Sequence, residues 1–150
     1  MKILELISIL LSVLVAGVFW GPWIALSRSI STFQPEIFLA ITHRLARNLA
    51  PLMTVPMPVA LLSMVPVLAL SYSHQPRTFY LTLTGFALFL LALLVTVLIE
   101  VPIVNQFTTW TGATMPANWQ QLRDRWGSFH LVRIVSSIAG VGCLISGAIF

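Results

Sequence analysis

Four long apolar stretches alternate with shorter polar segments along this chain. Two of them are unambiguous, since residues 6–26 and residues 78–99 contain 21 and 22 residues without a charge. At about 1.5 Å per residue, a helix of either length would cross the roughly 30 Å hydrocarbon core of a bilayer. A fourth stretch begins around residue 130 and reaches residue 150, while the second, roughly residues 50–72, is interrupted by Pro51, Pro56, Pro58 and Pro66. The pattern predicts four transmembrane helices, of which the second is bent by its prolines.

Composition places the chain among integral membrane proteins. It is 58% hydrophobic and 8% charged, whereas about 25% of the residues of a typical soluble domain are charged. Its 150 residues suffice for one domain, 1–150, and short connections favour an all-α fold, an antiparallel four-transmembrane-helix bundle. The formal net charge is +4, and the basic residues lie around the membrane-facing turns rather than in a stripe on a soluble surface. The expected partner is therefore the lipid bilayer, and no nucleic acid is expected.

The two loops on one side of this bundle carry helical patterns of their own. In the first loop, Pro35 begins a helix that runs to about residue 48, with Thr32 as its cap. In the third loop, Asn118 stands where a capping residue is expected, and aromatic residues follow at helical spacing. We therefore predict an interfacial helix in each of these loops.

Charge and tryptophan are concentrated at the end of the bundle formed by these two loops. Nine of the twelve charged residues lie there, and only Lys2, Glu5 and Arg77 lie at the opposite end. The same end holds two of the histidines and all five tryptophans, which are His43, His130, Trp20, Trp23, Trp110, Trp119 and Trp126. Because charge near lipid is costly, this arrangement indicates either an assembled site or a strongly anchored interface.

Glu100 is the most informative single residue, since it ends the uncharged run of the third helix. A carboxylate at that depth needs a partner, and Arg28 and Arg133 are expected at a similar depth on neighbouring helices. One interpretation is a buried salt bridge that fixes the register of the helices. The other is a functional carboxylate, acting as a base or a ligand, with His130 and His43 beside it.

No cofactor can be named from the sequence. Two histidines and two carboxylates at the polar end suit iron or zinc, but they lack the spacing of any dedicated metal motif. They are Glu36, His43, Glu100 and His130. We therefore predict no metal site. The single cysteine, Cys143, lies among small residues of the last helix and is interpreted as a packing residue.

Two segments resemble those of a large group of small bacterial membrane proteins. The first is Trp20-Gly21-Pro22-Trp23 with Ser27-Arg28-Ser29 after it; the second begins at Glu100-Val101-Pro102-Ile103 and continues with Asn105, Trp110, Pro116, Trp119, Arg123, Arg125-Trp126, His130 and Arg133. The group is classed with the anthrone oxygenases, which oxidise the central carbon of tricyclic aromatic polyketides to a quinone without an obligatory prosthetic group. The resemblance implies a membrane fold, a place in a bacterial inner membrane and, by analogy, an apolar aromatic or quinone-like ligand. It assigns no catalytic residues.

Three functions are compatible with these residues. In the first, the protein oxidises or binds an apolar aromatic molecule, with Glu100, His130 or His43 as the base. Tryptophans would form the walls and an arginine would stabilise an enolate or phenolate, so the candidate substrate-binding residues are Trp23, Arg28, Asn105, Trp110, Trp126 and Arg133. In the second, the chain is a noncatalytic subunit of a larger membrane complex or of a homo-oligomer. In the third, it is a small transporter or binder.

An antiparallel bundle brings the ends of its helices together, so these side chains are expected around one pocket with aromatic walls and a few convergent polar groups. Its predicted lining is Trp23, Arg28, Glu100, Asn105, Trp126, His130 and Arg133, with His43 closing it from the first loop. The competing arrangement is a solid plug in which the polar groups only satisfy one another.

The distribution of positive charge predicts the orientation in the membrane. The first and third loops and the adjoining helix ends hold six arginines, against Lys2 and Arg77 at the other end. The positive-inside rule then places these loops in the cytoplasm and both termini outside it. A reporter that is active only in the cytoplasm, fused after residue 150, is expected to stay inactive. Strong reporter activity would reverse the assignment.

Overall fold

The computed structural model describes residues Met1–Phe150 as helices and short turns, with no strand. Six α-helices follow one another: α1 (Lys2–Leu26), α2 (Pro35–Met53), α3 (Pro56–Ser71), α4 (Pro76–Val95), α5 (Val101–Thr109) and α6 (Trp119–Ile149). A short 3₁₀ helix (Ile30–Thr32) precedes α2, and a π-helical turn (Thr96–Glu100) joins α4 to α5 without a break.

Four helical segments are long and apolar enough to cross a membrane: α1, the pair α2–α3, the run from α4 through α5, and α6. This confirms the predicted all-α membrane protein with four transmembrane segments. Their packing forms a closed ring, in which α1 contacts α3, α3 contacts α4, α4 contacts α6 and α6 returns to α1. Between them lies the main core, centred on the fully buried Val15, Met64 and Phe89.

The last helix is longer than predicted. It begins at Trp119 and continues unbroken to Ile149, so the interfacial helix expected in the third loop is the first part of the last membrane helix. Its buried face explains this continuity, because Arg123, His130 and Ile134 follow Trp119 along one side at helical spacing. At about 1.5 Å per residue, its 31 residues exceed the hydrocarbon thickness, and the first turns extend beyond it.

The second membrane crossing is one bent helical run, Pro35–Ser71, as predicted, and its bend lies at Thr54 and Val55, whose backbones stay in the right-handed helical region. The helix expected in the first loop exists as α2, but it runs to Met53 instead of ending near residue 48. A turn at Thr54 and Val55 separates it from α3. Pro56 lies in the first turn of α3, where the missing amide hydrogen leaves no bond unmade.

Two expected capping interactions are not made. Thr32 lies in the 3₁₀ helix and donates its hydroxyl hydrogen to the Ser29 carbonyl over 2.7 Å, so Gln34 is the residue that precedes α2. Asn118 does precede α6, but its side chain makes no capping hydrogen bond. The reason is its backbone (φ −99°, ψ 20°), which lacks the extended conformation of a capping residue.

Two glycines let α4 and α6 pack closely. A Cβ atom at Gly140 would lie 2.8 Å from a ring carbon of Phe89, and one at Gly85 would lie 3.1 Å from the Gly140 carbonyl oxygen. Small residues permit such close backbone approach in membrane bundles. The spacing matters for function, because these two helices lead to Glu100 and carry Arg133.

We expect Gly140→Ala to lower the free energy of unfolding by about 1–3 kcal/mol, because the new methyl group overlaps the buried ring of Phe89. Gly142→Ala is the matched control, since a Cβ atom there would meet nothing within 4 Å. Unfolding in detergent, followed by circular dichroism, measures both. Stability of Gly140→Ala equal to that of Gly142→Ala would contradict the close packing of α4 and α6.

Candidate functional site

A buried ion pair lies where α4 passes into α5. Glu100 is only 4% exposed, and its Oε2 atom lies 2.7 Å from Arg133 Nη1. The predicted salt bridge is thus confirmed, with Arg133 as the partner of Glu100. Arg28, the other candidate, is exposed and forms no ion pair.

Local backbone geometry turns Glu100 inward. The π-helical turn Thr96–Glu100 is followed at once by Pro102 in the first turn of α5. Because proline has no amide hydrogen, the regular bond to the carbonyl of residue 98 cannot form, and the wider turn accommodates this loss. Thr96 and Glu100 face α6 together, and Arg133 Nη1 also donates to the Thr96 hydroxyl over 3.2 Å.

The neighbours of His130 fix the roles of its two ring nitrogens. Arg133 Nη2 lies 2.7 Å from His130 Nδ1, and a guanidinium can only donate, so Nδ1 is the acceptor. This network assigns the proton to Nε2, which donates to the Phe19 carbonyl over 3.2 Å. Glu100 Oε1 approaches the same Nδ1 atom at 3.3 Å. Since both atoms are acceptors, that contact adds no hydrogen bond.

Aromatic rings enclose this polar group. The His130 ring packs against both Trp23 and Trp126, with ring centroids 5.3 and 5.2 Å away. The guanidinium of Arg133 stacks over Phe19, with Cζ 4.2 Å from the ring centroid. The stacking adds a cation–π attraction for Arg133.

A cavity of about 510 Å³ borders the ion pair. Among its lining residues are most of those predicted from the sequence: Trp23, Glu100, Asn105, Trp126, His130 and Arg133. Most of the remaining wall is apolar and comes from α1, α2, α4 and the loop before α2. Small-molecule sites have volumes of roughly 300–1,000 Å³. The polar end of the bundle is therefore a pocket rather than a solid plug.

Three other candidates lie outside the cavity. Arg28 follows the end of α1 and is exposed. His43 Nε2 donates to the Phe107 carbonyl over 2.9 Å and so ties α2 to α5. Trp110 packs edge-on against Phe107, with a centroid distance of 5.4 Å. The expectation that Arg28 lines the pocket and that His43 closes it is therefore wrong, because Arg28 points to the surface and His43 is engaged by α5.

The wall contributed by α2 is not foreseen from the sequence. Ile41, Leu45 and Leu49 of this helix line the cavity. Their spacing of four residues is a usable signal, since an amphipathic helix turns its apolar stripe toward the rest of the protein. Charge alone points to the polar stripe around His43, whereas α2 presents its apolar stripe to the cavity.

Of the four residues weighed as metal ligands, only Glu100 and His130 come together. His43 is engaged by α5, and Glu36 lies near Gly112. No group of three or more histidine, cysteine, aspartate or glutamate side chains is placed to hold a metal ion.

Three buried polar atoms of pocket residues have no hydrogen-bonding partner in the protein: Glu100 Oε1, Trp126 Nε1 and Arg133 Nε. A buried polar group left unpaired costs about 1–3 kcal/mol. The first atom is an acceptor and the other two are donors. Such orphaned atoms at one cavity are a functional signal that no sequence pattern reveals, because they depend on how the side chains meet.

The family relationship follows from a match over most of the membrane region. A family model described as anthrone oxygenase matches residues 45–143, more than half of the chain. The chain belongs to the anthrone oxygenase family. No curated protein and no solved structure matches it.

The region shared with the anthrone oxygenase family contains most of the site. It includes Glu100, Trp126, His130 and Arg133, together with the π-helical turn, whereas Trp23 lies before it. The sequence resemblance to this family is thus confirmed. The polar network belongs to the part of the chain that the family model covers.

Glu100→Gln should lower the free energy of unfolding by about 3 kcal/mol, because the change leaves the buried Arg133 without its counter-charge. Glu36→Gln is the matched control, since Glu36 is exposed on α2. Thermal unfolding in one detergent compares the variants. Equal, small losses for Glu100→Gln and Glu36→Gln would mean that water screens Glu100.

Proposed function

We propose that this anthrone oxygenase family member binds a lipophilic aromatic ketone in its cavity and oxidises an acidic methylene carbon of that molecule with dioxygen. The observation that carries the proposal is the unpaired carboxylate oxygen of Glu100 beside an apolar cavity of about 510 Å³. The apolar walls suit a fused ring system, and the few polar atoms at one end suit its oxygen substituents.

The orphaned atoms describe the complementary molecule. Glu100 Oε1 can accept a hydrogen from a ligand hydroxyl or from an acidic C–H group. Trp126 Nε1 can donate a hydrogen bond to a ligand carbonyl or phenolic oxygen. Anthrones that carry phenol groups offer both on one rigid ring system. The protein atoms are covered by neighbouring side chains, so we expect a small rotation of Glu100 or Trp126 on binding.

The proposed reaction replaces two hydrogens of a methylene carbon with one oxygen. Glu100 Oε1 removes a proton from that carbon, and the electron pair is delocalised into the ring ketone as an enolate. The enolate carbon transfers its electrons to dioxygen and bonds to it, and protonation gives a hydroperoxide. That carbon then loses its second hydrogen as the O–O bond breaks, which forms the carbonyl group and releases water. The balance is R₂CH₂ + O₂ → R₂C=O + H₂O.

Arg133 keeps the charge balance during the first step. Before proton transfer, its guanidinium neutralises Glu100 at 2.7 Å. Afterwards Glu100 is neutral and the negative charge lies on the enolate next to it, so Arg133 still faces an anion. Little solvent has to reorganise, because the side chains of Glu100 and Arg133 are largely buried.

His130 has a positioning role in this scheme. Both of its ring nitrogens are engaged, Nδ1 by Arg133 and Nε2 by the Phe19 carbonyl, so it has no free site for a substrate proton. Its contacts orient Arg133 and hold the rings of Trp23 and Trp126 at the cavity wall.

We further propose that the protein lies in a bacterial inner membrane, with the pocket at the cytoplasmic end and the termini on the other side.

The test uses the purified protein in detergent with a dihydroxyanthrone as the probe. Wild-type protein should form the quinone faster than autoxidation does, with labelled oxygen from dioxygen at the new carbonyl. Glu100→Gln should lower the rate by about 10²–10⁴-fold, the usual contribution of a general base. Trp126→Phe, which keeps an aromatic ring but removes the donor, should raise KM with a smaller effect on kcat.

Glu36→Gln serves as the control and should retain the wild-type rate. All assays are run at a temperature at which each variant is folded by circular dichroism. Quinone formation no faster than autoxidation, or a wild-type rate in folded Glu100→Gln, would contradict the proposal. Saturable probe binding without turnover would favour the alternative of a noncatalytic binder.

A further inference from the structure

We infer that the cavity is filled from the side, through a portal between α2–α3 and α4–α5 that opens to the bilayer, so that the ligand reaches it from the membrane phase rather than from water. The inference rests on the proposed function in one respect, the lipophilic nature of the ligand. The portal itself is defined by which walls of the cavity are exposed and which are closed.

The water-facing end of the cavity is closed by an aromatic cluster. Phe38 of α2, Phe107 of α5 and Trp119 of α6 pack together, and none of them is more than 8% exposed. The ring centroid of Phe38 lies 5.2 Å from that of Phe107 and 5.2 Å from that of Trp119. The hydrogen bond from His43 to the Phe107 carbonyl fastens α2 at the same level. A rigid ring system would have to break this cluster to pass.

The opposite end is closed by the main core. Phe19 and Met57 line the cavity and belong to the cluster around Val15, Met64 and Phe89. All five are buried to 2% exposure or less. Core packing of this kind leaves no channel for a ring.

Two sets of lining residues are exposed, and they lie on two different segments. Ala50, Thr54 and Pro58 follow one another at intervals of four along the end of α2 and the start of α3. Val97, Val101 and Asn105 have the same intervals along the π-helical turn and α5. Each set marks a single edge, so the exposed part of the cavity wall is a slot between the two segments.

Packing explains why the slot exists. α2 contacts α5 through Phe38 and Leu39, near the start of α2, whereas α3 contacts α4 deeper in the bundle. Between these contacts the chain turns at Thr54 and Val55. The second half of α2 and the π-helical segment are not among the closely packed pairs of elements, and the gap between them opens into the cavity.

The slot lies at the depth that amphipathic aromatic molecules prefer. Val97 is about 30 Å along the helix from Pro76, at about 1.5 Å per residue, which matches the thickness of the hydrocarbon core. With Arg77 at the opposite surface, Val97 and Val101 lie at the boundary between acyl chains and headgroups. Aromatic rings with a polar edge concentrate in this layer. Val97 is 54% exposed and Val101 is 43% exposed, so the edge presents hydrocarbon to lipid at these two positions.

The test measures how fast a dihydroxyanthraquinone quenches tryptophan fluorescence after mixing with the protein in lipid vesicles. At a fixed aqueous concentration, the wild-type association rate should rise with the mole fraction of probe in the lipid. Val101→Trp, which fills the slot, should slow association and dissociation together by about tenfold or more and change the equilibrium affinity little. Thr54→Trp, on the opposite edge, should act in the same way.

Leu98→Trp is the matched control, because Leu98 lies on the same turn and is 67% exposed but does not line the cavity. Its association and dissociation rates should stay within about twofold of the wild-type rates. The portal would be contradicted if association and dissociation were equally fast in Val101→Trp, Thr54→Trp and Leu98→Trp. It would also be contradicted if the slot variants lost affinity for the probe without slower dissociation. If both slot variants oxidised substrate and also bound and released the probe at wild-type rates, the portal would be contradicted and the proposed function would not. Absence of saturable quenching in the wild type would overturn both.

Discussion

The ion pair between Glu100 and Arg133 is the interaction on which the rest of this structure depends. Two charges at the edge of the hydrocarbon are tolerable only when each has a close counter-charge and further polar contacts. Arg133 meets these needs by reaching Glu100, the Thr96 hydroxyl and His130 Nδ1 at once. The contacts with Glu100 and Thr96 restrict the position of α6 relative to the π-helical turn, and the contact with His130 orients Arg133 within α6. The pair therefore fixes the register of the helices that form the pocket.

The same constraint separates the pocket into two chemically different parts. The charged and orphaned polar groups are gathered where the π-helical turn meets α6, while α2 contributes mostly apolar side chains to the wall. A ring system can thus be held by dispersion and burial along most of its surface and oriented at one edge by hydrogen bonds. Because Glu100 and Arg133 are largely buried, charge interactions at that edge are also stronger than they would be in solution. This arrangement suits the proposed oxidation, in which a carbon acid must lose a proton.

Much of this was predictable from the sequence. The four membrane segments follow from hydropathy, and the pairing of Glu100 follows from the cost of a lone carboxylate near lipid. The convergence of Trp23, Trp126 and His130 follows from antiparallel topology. The choice of Arg133 over Arg28 was not predictable, because it depends on the helical phase of α6 and on where α1 ends. Nor was the inward turn of Glu100, which depends on a π-helical turn that only the backbone reveals.

The most direct measurement is a double-mutant cycle between Glu100→Gln and Arg133→Met, read as the free energy of unfolding in mixed detergent micelles. If the pair fixes the polar end of the bundle, either single change should destabilise the protein and the double variant should be little worse than the poorer single one. The resulting coupling energy should be about 1–3 kcal/mol. Destabilisations that simply add, with no coupling energy, would contradict the account, because they would mean that Glu100 and Arg133 act independently.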